Sequence, residues 1–169
     1  MKGIHPRRSI VMNDKLNRIN QVGIIVTDRE KAIAQFEKYF GIDNWKLTNF
    51  EDLPIPVEFE GKVQKMPLHV AIADMGNGFE IEVIQPMGEC SYMTWLKEHG
   101  PGVHHFAAIL PNQNAGFKEL RDEMLADGGK IWTHAHMVGL PEGEGMDFTY
   151  MDMRESMGSI IEMYNEKKD

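Results

Sequence analysis

Residues 79–110 read FEIEVIQPMGECSYMTWLKEHGPGVHHFAAIL. Phe79 to Gln85 (FEIEVIQ) is predicted as a strand, stopped by Pro86, which cannot donate to a sheet ladder. Met93 to His99 (MTWLKEH) is predicted as a short helix that ends at Gly100. Val103 to Leu110 (VHHFAAIL) is predicted as a new strand. The stretch therefore reads as the end of one unit, a joint, and the start of another.

Working back from the joint, Arg18 to Thr27 (RINQVGIIVT) has the β-branched content and alternation of a strand. Asp28 to Phe40 follows as a helix, with Ala32, Ile33, Phe36, Tyr39 and Phe40 on one face. Thr27 and Glu30 have capping-box spacing, and Gly41 sits where a helix stops. Residues 45–50 (WKLTNF) read as a strand, residues 51–66 as irregular chain, and Leu68 to Met75 as a strand before the turn at Gly76–Gly78. The order is β, α, β, β, β.

Working forward, the order recurs. After the strand from Val103 comes a helix over Ala115 to Ala126, with Phe117, Leu120, Met124 and Leu125 on its apolar side. Gly128 and Gly129 close it. Strands are predicted at Lys130 to His134, Asp147 to Met153 and Ser159 to Tyr164, with an acidic, Gly-rich loop (GLPEGEG, residues 139–145) between the first two. Gln21 and His105 stand 84 residues apart, and Glu82 and Glu162 stand 80 apart. Two offsets this similar point to a duplicated module. The expected fold is α+β: two tandem βαβββ modules forming one open, cup-shaped mixed sheet. The expected divisions are a flexible lead-in at 1–17, a first module at 18–90, a linker helix at 91–102 and a second module at 103–165.

Composition narrows the function class. The 169 residues are 42% hydrophobic and 26% charged, an ordinary globular balance. A net charge of −8 argues against a nucleic-acid footprint. No apolar run is long enough to span a membrane, and the start has no apolar run behind its basic residues, so no secretory signal is expected. The single cysteine, Cys90, can neither staple the fold nor form a zinc ribbon, which fits a reducing, cytoplasmic setting. Thirteen Met residues suit core packing or a pliable pocket.

The chemistry lies in four side chains. Strand residues alternate faces, so Gln21 shares a face with Gly23 and Ile25, and His105 with Val103 and Ala107. The small residues Gly23 and Ala107 leave room beside Gln21 and His105. Glu82 and Glu162 each lie within an apolar strand, where an unpaired carboxylate is costly to bury. The economical solution is that Gln21, Glu82, His105 and Glu162 converge on one divalent metal. One imidazole, two carboxylates and an amide oxygen favour Mn²⁺, Co²⁺, Fe²⁺ or Zn²⁺. Such an ion acts as a Lewis acid on developing negative charge. Among the neighbours, His104 alternates to the other face and reads as structural, Glu80 as solvated, and His134 and His136 as loop or surface histidines.

The stretches INQVGIIVTDREKAIAQFEKYFGI (19–42), residues 79–110 above, and MDMRESMGSIIEMYN (151–165) resemble the vicinal oxygen chelate superfamily, which includes glyoxalases, bleomycin resistance proteins and dioxygenases. Within it they resemble the methylmalonyl-CoA epimerase branch. The joint, with strand, Pro, short helix, Gly and a His-His pair, is the most specific part. The resemblance implies metal ligands at Gln21, Glu82, His105 and Glu162, with Gln21 standing where the family usually has His. It also implies a carboxylate base on a middle strand of the first half. The matching stretch, about Pro67 to Ala71, holds His69 as its only titratable residue.

The expected activity is that of an isomerase, an epimerase or racemase assisted by a divalent metal. A proton next to a carbonyl is abstracted and returned on the opposite face. Glu162 is the first candidate base, then His69, with Glu82 also in the catalytic group. The expected partner is a small carbonyl substrate: methylmalonyl-CoA as the family default, or an isoflavanone such as dihydrodaidzein, racemised by a similar bacterial group. A glyoxalase-like lyase and a non-catalytic small-molecule binding protein are the other readings. The expected assembly is a homodimer, as small proteins of this kind often pair.

Overall fold

The computed structural model describes residues 18–165 apart from 55, 77, 110–116 and 140–146. The lead-in expected over 1–17, the start of the second helix and most of the acidic loop lie outside the described residues. The chain order is β1 (Gln21–Ile25), α1 (Arg29–Phe40), β2 (Lys46–Asn49), β3 (Val57–Phe59), β4 (Lys62–Gln64), β5 (Leu68–Asp74) and β6 (Glu80–Pro86). The joint follows as α2 (Ser91–His99). Then come β7 (Gly102–Ile109), α3 (Phe117–Ala126), β8 (Lys130–Met137), β9 (Asp147–Met153), α4 (Arg154–Met157) and β10 (Ser159–Asn165).

The ten strands of the described residues form one open sheet in the order β2-β5-β6-β1-β7-β10-β9-β8-β3-β4. Its first four strands come from the first βαβββ unit and the next four from the second, in mirrored order. The two halves meet where β1 runs antiparallel to β7. Each of those strands also has a parallel partner, β6 for β1 and β10 for β7. The expected α+β fold, one open cup-shaped mixed sheet, is the observed one.

Two faces of the sheet carry separate cores. On one, Val70, Ile84, Ile25, Ile160, Tyr150 and Ala135, from strands across the sheet, share one cluster with Tyr92 of α2. Side chains from strands so far apart can meet only if the sheet curls, so this is the concave interior. On the convex face α1 packs Ile33 against Ala71 and Val83, and α3 packs Leu120 and Met124 against Met151, Met153, Ile161 and Met163. Burying each large apolar side chain contributes roughly 1.5–3 kcal/mol.

Three expectations are corrected. The stretch 51–66 is not wholly irregular: β3 and β4 form a hairpin that pairs with β8 of the other half. Its alternation places Val57 and Phe59 in the interior, a tertiary gain invisible in a three-residue strand. The first helix is capped by Asp28 rather than Thr27, since the Asp28 side chain accepts from the Lys31 backbone N–H. Strand β8 runs on to Met137, held by β3. No described helix is long and apolar enough to cross a membrane.

Candidate active site

The site is built on the four central strands, whose register forms two rows across the concave face. Glu82, Gly23, His105 and Ile160 occupy one row, and Glu80, Gln21, Ala107 and Glu162 the next. Gly23 is what admits the imidazole. A Cβ at that position would stand 1.8 Å from His105 Cε1 and 2.2 Å from Nε2, far inside van der Waals contact. The ring therefore occupies the space that any side chain at 23 would need.

His105 is fully buried, and Glu82 and Glu162 are 8% and 6% exposed. His105 Nε2 lies 3.2 Å from Glu162 Oε2 and 3.4 Å from Glu82 Oε2. The ligand atoms of the three residues lie within 4.8 Å of one another. Yet His105 Nε2 and Glu82 Oε2 have no hydrogen-bond partner among the described residues. Buried polar atoms are rarely left so. Short contacts without hydrogen-bond alignment suit atoms that converge on a common cation. One imidazole and two carboxylates fit a first-row divalent ion, so this group could hold a metal.

Electrostatics follow from this enclosure. Burial alone would depress the His105 imidazole, but the Glu162 and Glu82 carboxylates outweigh it and lift its pKa to about 9. Glu82 is pushed above the usual carboxylate range, first by burial and then by the charges of Glu162 and Glu80, with His105 opposing. The phenols of Tyr92 and Tyr150 are raised well above their ordinary value, chiefly by burial and then by the Glu162 charge. The rings of Tyr150 and His105 stand nearly perpendicular, with centroids 4.7 Å apart.

The structure thus brings Glu82, His105 and Glu162 together. Gln21 lies buried in the adjacent row, where its Nε2 donates to Glu80 Oε2 at 3.1 Å. With the amide N–H engaged, Oε1 is the atom Gln21 has to offer a cation. Glu80 is therefore not the solvated neighbour expected, but half-buried and bonded to Gln21.

His69 is not in this group. It shares a strand face with Ala71, which packs under α1 with Ile33 and Val83, whereas Leu68 and Val70 face the interior. His69 Nε2 sits 2.5 Å from Glu51 Oε1. The sheet separates it from the acids, so its candidacy as a base fails on strand parity. His134 and His136 also leave the interior, pairing at 2.6 Å with Thr149 Oγ1 and Asp147 Oδ1.

His104 does not lie on the face expected of it either. The β1–β7 register shifts between Gly23, opposite His105, and Ile24, opposite Val103. His104 is the extra residue of this bulge, and a bulge breaks the alternation of faces. Its ring lies inside, 4.3 Å from that of Trp132 and 5.1 Å from that of Trp95. Burial, followed by the charges of His105 and Arg154, lowers its pKa to about 2. Tyr92, Trp132 and Tyr150 complete this shell, and no motif in the sequence marks them. The alternation Phe148, Tyr150 beside Glu162 was the available signal.

The family model for the glyoxalase/bleomycin resistance protein/dioxygenase superfamily matches residues 20–150. The chain is 27% identical over 139 residues to the mitochondrial methylmalonyl-CoA epimerase of Bos taurus, covering 79% of this chain and 70% of that one. It is 27% identical over 128 residues to the Homo sapiens enzyme of the same name, covering 73% of this chain and 65% of that one. Among solved structures, methylmalonyl-CoA epimerase from Mycobacterium tuberculosis superposes with a TM-score of 0.64 at 15% identity, covering 95% of each chain. The Streptomyces coelicolor enzyme in complex with 2-nitronate-propionyl-CoA gives 0.62 at 18% identity, over 91% of this chain and 100% of that one. These structural likenesses establish the shared fold.

Proposed function

Because the chain belongs to the glyoxalase/bleomycin resistance protein/dioxygenase superfamily, we propose that it is an epimerase or racemase that removes and returns a proton beside a carbonyl. The observation that carries this reading is the buried His105 held between Glu82 and Glu162, from matching strands of the two halves. A divalent cation held by Glu82, His105, Glu162 and the Gln21 oxygen would supply Lewis-acid stabilisation of negative charge on a substrate oxygen.

The chain's own residues do the rest. Glu162 is the base: it is a buried carboxylate on the interior face, with Oε2 3.2 Å from His105 Nε2. Glu82 reaches the same site from β6; starting protonated, it gives its own proton to the opposite face while Glu162 keeps the one it removed, and exchange with solvent resets the pair. Burial already raises its affinity for a proton. Tyr150 and the apolar interior exclude water, so a carbanionic carbon is not quenched at random.

The similarity to methylmalonyl-CoA epimerases supports an acyl-CoA substrate. A neutral aromatic ketone such as an isoflavanone is a second reading, favoured by the aromatic side chains around the site. Trp95, Trp132, Tyr92 and Tyr150 surround the paired histidines. Among the described residues the buried Lys or Arg side chain is Arg29, on the helix-covered face. Incubation in D₂O with methylmalonyl-CoA and with an optically pure isoflavanone tests both. Deuterium uptake at the α-carbon with loss of optical purity is expected for one of them. No uptake from any chiral carbonyl compound leaves a binding protein instead.

A further inference from the structure

His104 and His105 are consecutive, yet the bulge turns both rings inward, and their Nδ1 atoms lie 3.0 Å apart. A hydrogen bond between two ring nitrogens holds one proton, so one ring donates and the other accepts. We infer that His105 Nδ1–H donates to His104 Nδ1, which makes His104 a positioning residue that fixes the tautomer and orientation of His105.

Two observations decide the direction. The first is on the His105 side. Its Nε2 is the atom turned to Glu82 and Glu162. For that nitrogen to present a lone pair to a cation, the ring's remaining proton must be on Nδ1. The second is on the His104 side. Its Nε2 is buried without a hydrogen-bond partner among the described residues, and what surrounds the ring is aromatic: Tyr92, Trp95, Trp132 and Tyr150. Among aromatic rings an N–H can use a π face as a weak acceptor, whereas a bare nitrogen needs a donor, and none among the described residues reaches His104 Nε2. The cage therefore selects the His104 tautomer with its proton on Nε2, which leaves Nδ1 as the acceptor. Most metal-bound histidines place the second nitrogen against a carboxylate, carbonyl or water. Here a neighbouring imidazole takes that role, and the bulge is what brings it there.

The His104 side of the argument stands on geometry, while the His105 side and the bond's value to a metal rest on the proposed function; the experiment separates the two. The full chain labelled with ¹⁵N in its imidazoles is read by long-range ¹H–¹⁵N correlation, before and after zinc is added. Protonated Nε2 with bare Nδ1 on His104, and protonated Nδ1 on His105, is expected in both states. A proton on His104 Nδ1 with bare Nδ1 on His105 overturns the inference. Zinc affinity is then compared by calorimetry. His104→Phe, which keeps a ring but no acceptor, is expected to bind about 10–100-fold more weakly. His104→Asn, whose Oδ1 stands where Nδ1 stood, is expected to recover most of the loss. Wild-type affinity in His104→Phe, or no recovery in His104→Asn, rejects the positioning role. If the wild type binds no zinc, the metal reading fails, and the spectra alone still decide the histidine pair.

Discussion

The imidazole of His105 occupies the place where Gly23 lacks a side chain, with Cε1 1.8 Å from where a Cβ would stand. Both groups lie in the sheet's interior, one as backbone and one as a fully buried ring, so neither can yield cheaply. Gly23→Ala is expected to destabilise the fold by about 3 kcal/mol or more and to expel His105 from the acids. Thermal denaturation and zinc titration would show it. A variant as stable as the parent would mean that the ring does not sit there.

Glu162→Gln keeps the shape of the buried side chain but removes its charge and its capacity as a base. Turnover is expected to fall by at least about 10²-fold, with circular dichroism unchanged. Deuterium exchange at near-normal rate in this variant would remove Glu162 from the chemistry.

Gln21 offers an amide oxygen where an imidazole would bind more tightly. Gln21→His is expected to raise zinc affinity, and Gln21→Leu to lower it, each by roughly tenfold. If calorimetry finds both variants equal to the parent, Gln21 is not a ligand.

In the metal-free protein, the His105 pKa is raised to about 9 by Glu162 and Glu82 against the opposing effect of burial. A group whose pKa is higher folded than unfolded stabilises fully below its unfolded value, near 6.5, and loses that stabilisation as pH rises through the folded one. Urea midpoints of the chelator-treated protein should therefore drop between about pH 6.5 and pH 9. The loss should be on the order of a few kcal/mol, and much smaller in His105→Gln. An equal drop in the two proteins would assign the effect to other groups.

His69 faces α1 and pairs with Glu51. His69→Gln is accordingly expected to leave turnover within about twofold of the parent and to cost at most ~1 kcal/mol, the usual worth of a partly exposed ion pair. A large loss of turnover at unchanged stability would return His69 to the list of bases.

The amino-acid sequence by itself determined the duplicated strand-and-helix order and the inward positions of Glu82, His105 and Glu162. Those follow from a period-two alternation that each strand carries locally, and from offsets that can be counted along the chain. It did not determine where the alternation breaks or which strand adjoins which. The bulge at His104 exists only as a mismatch between β7 and β1, so one strand read alone sets that ring on the wrong face. The β3–β4 hairpin is too short to register in sequence and is held by β8. Glu80 became a partner of Gln21 only because parallel pairing sets the two residues side by side. Local periodicity decides which way a side chain points, but what it meets is decided by contacts between distant segments, which only the folded sheet specifies.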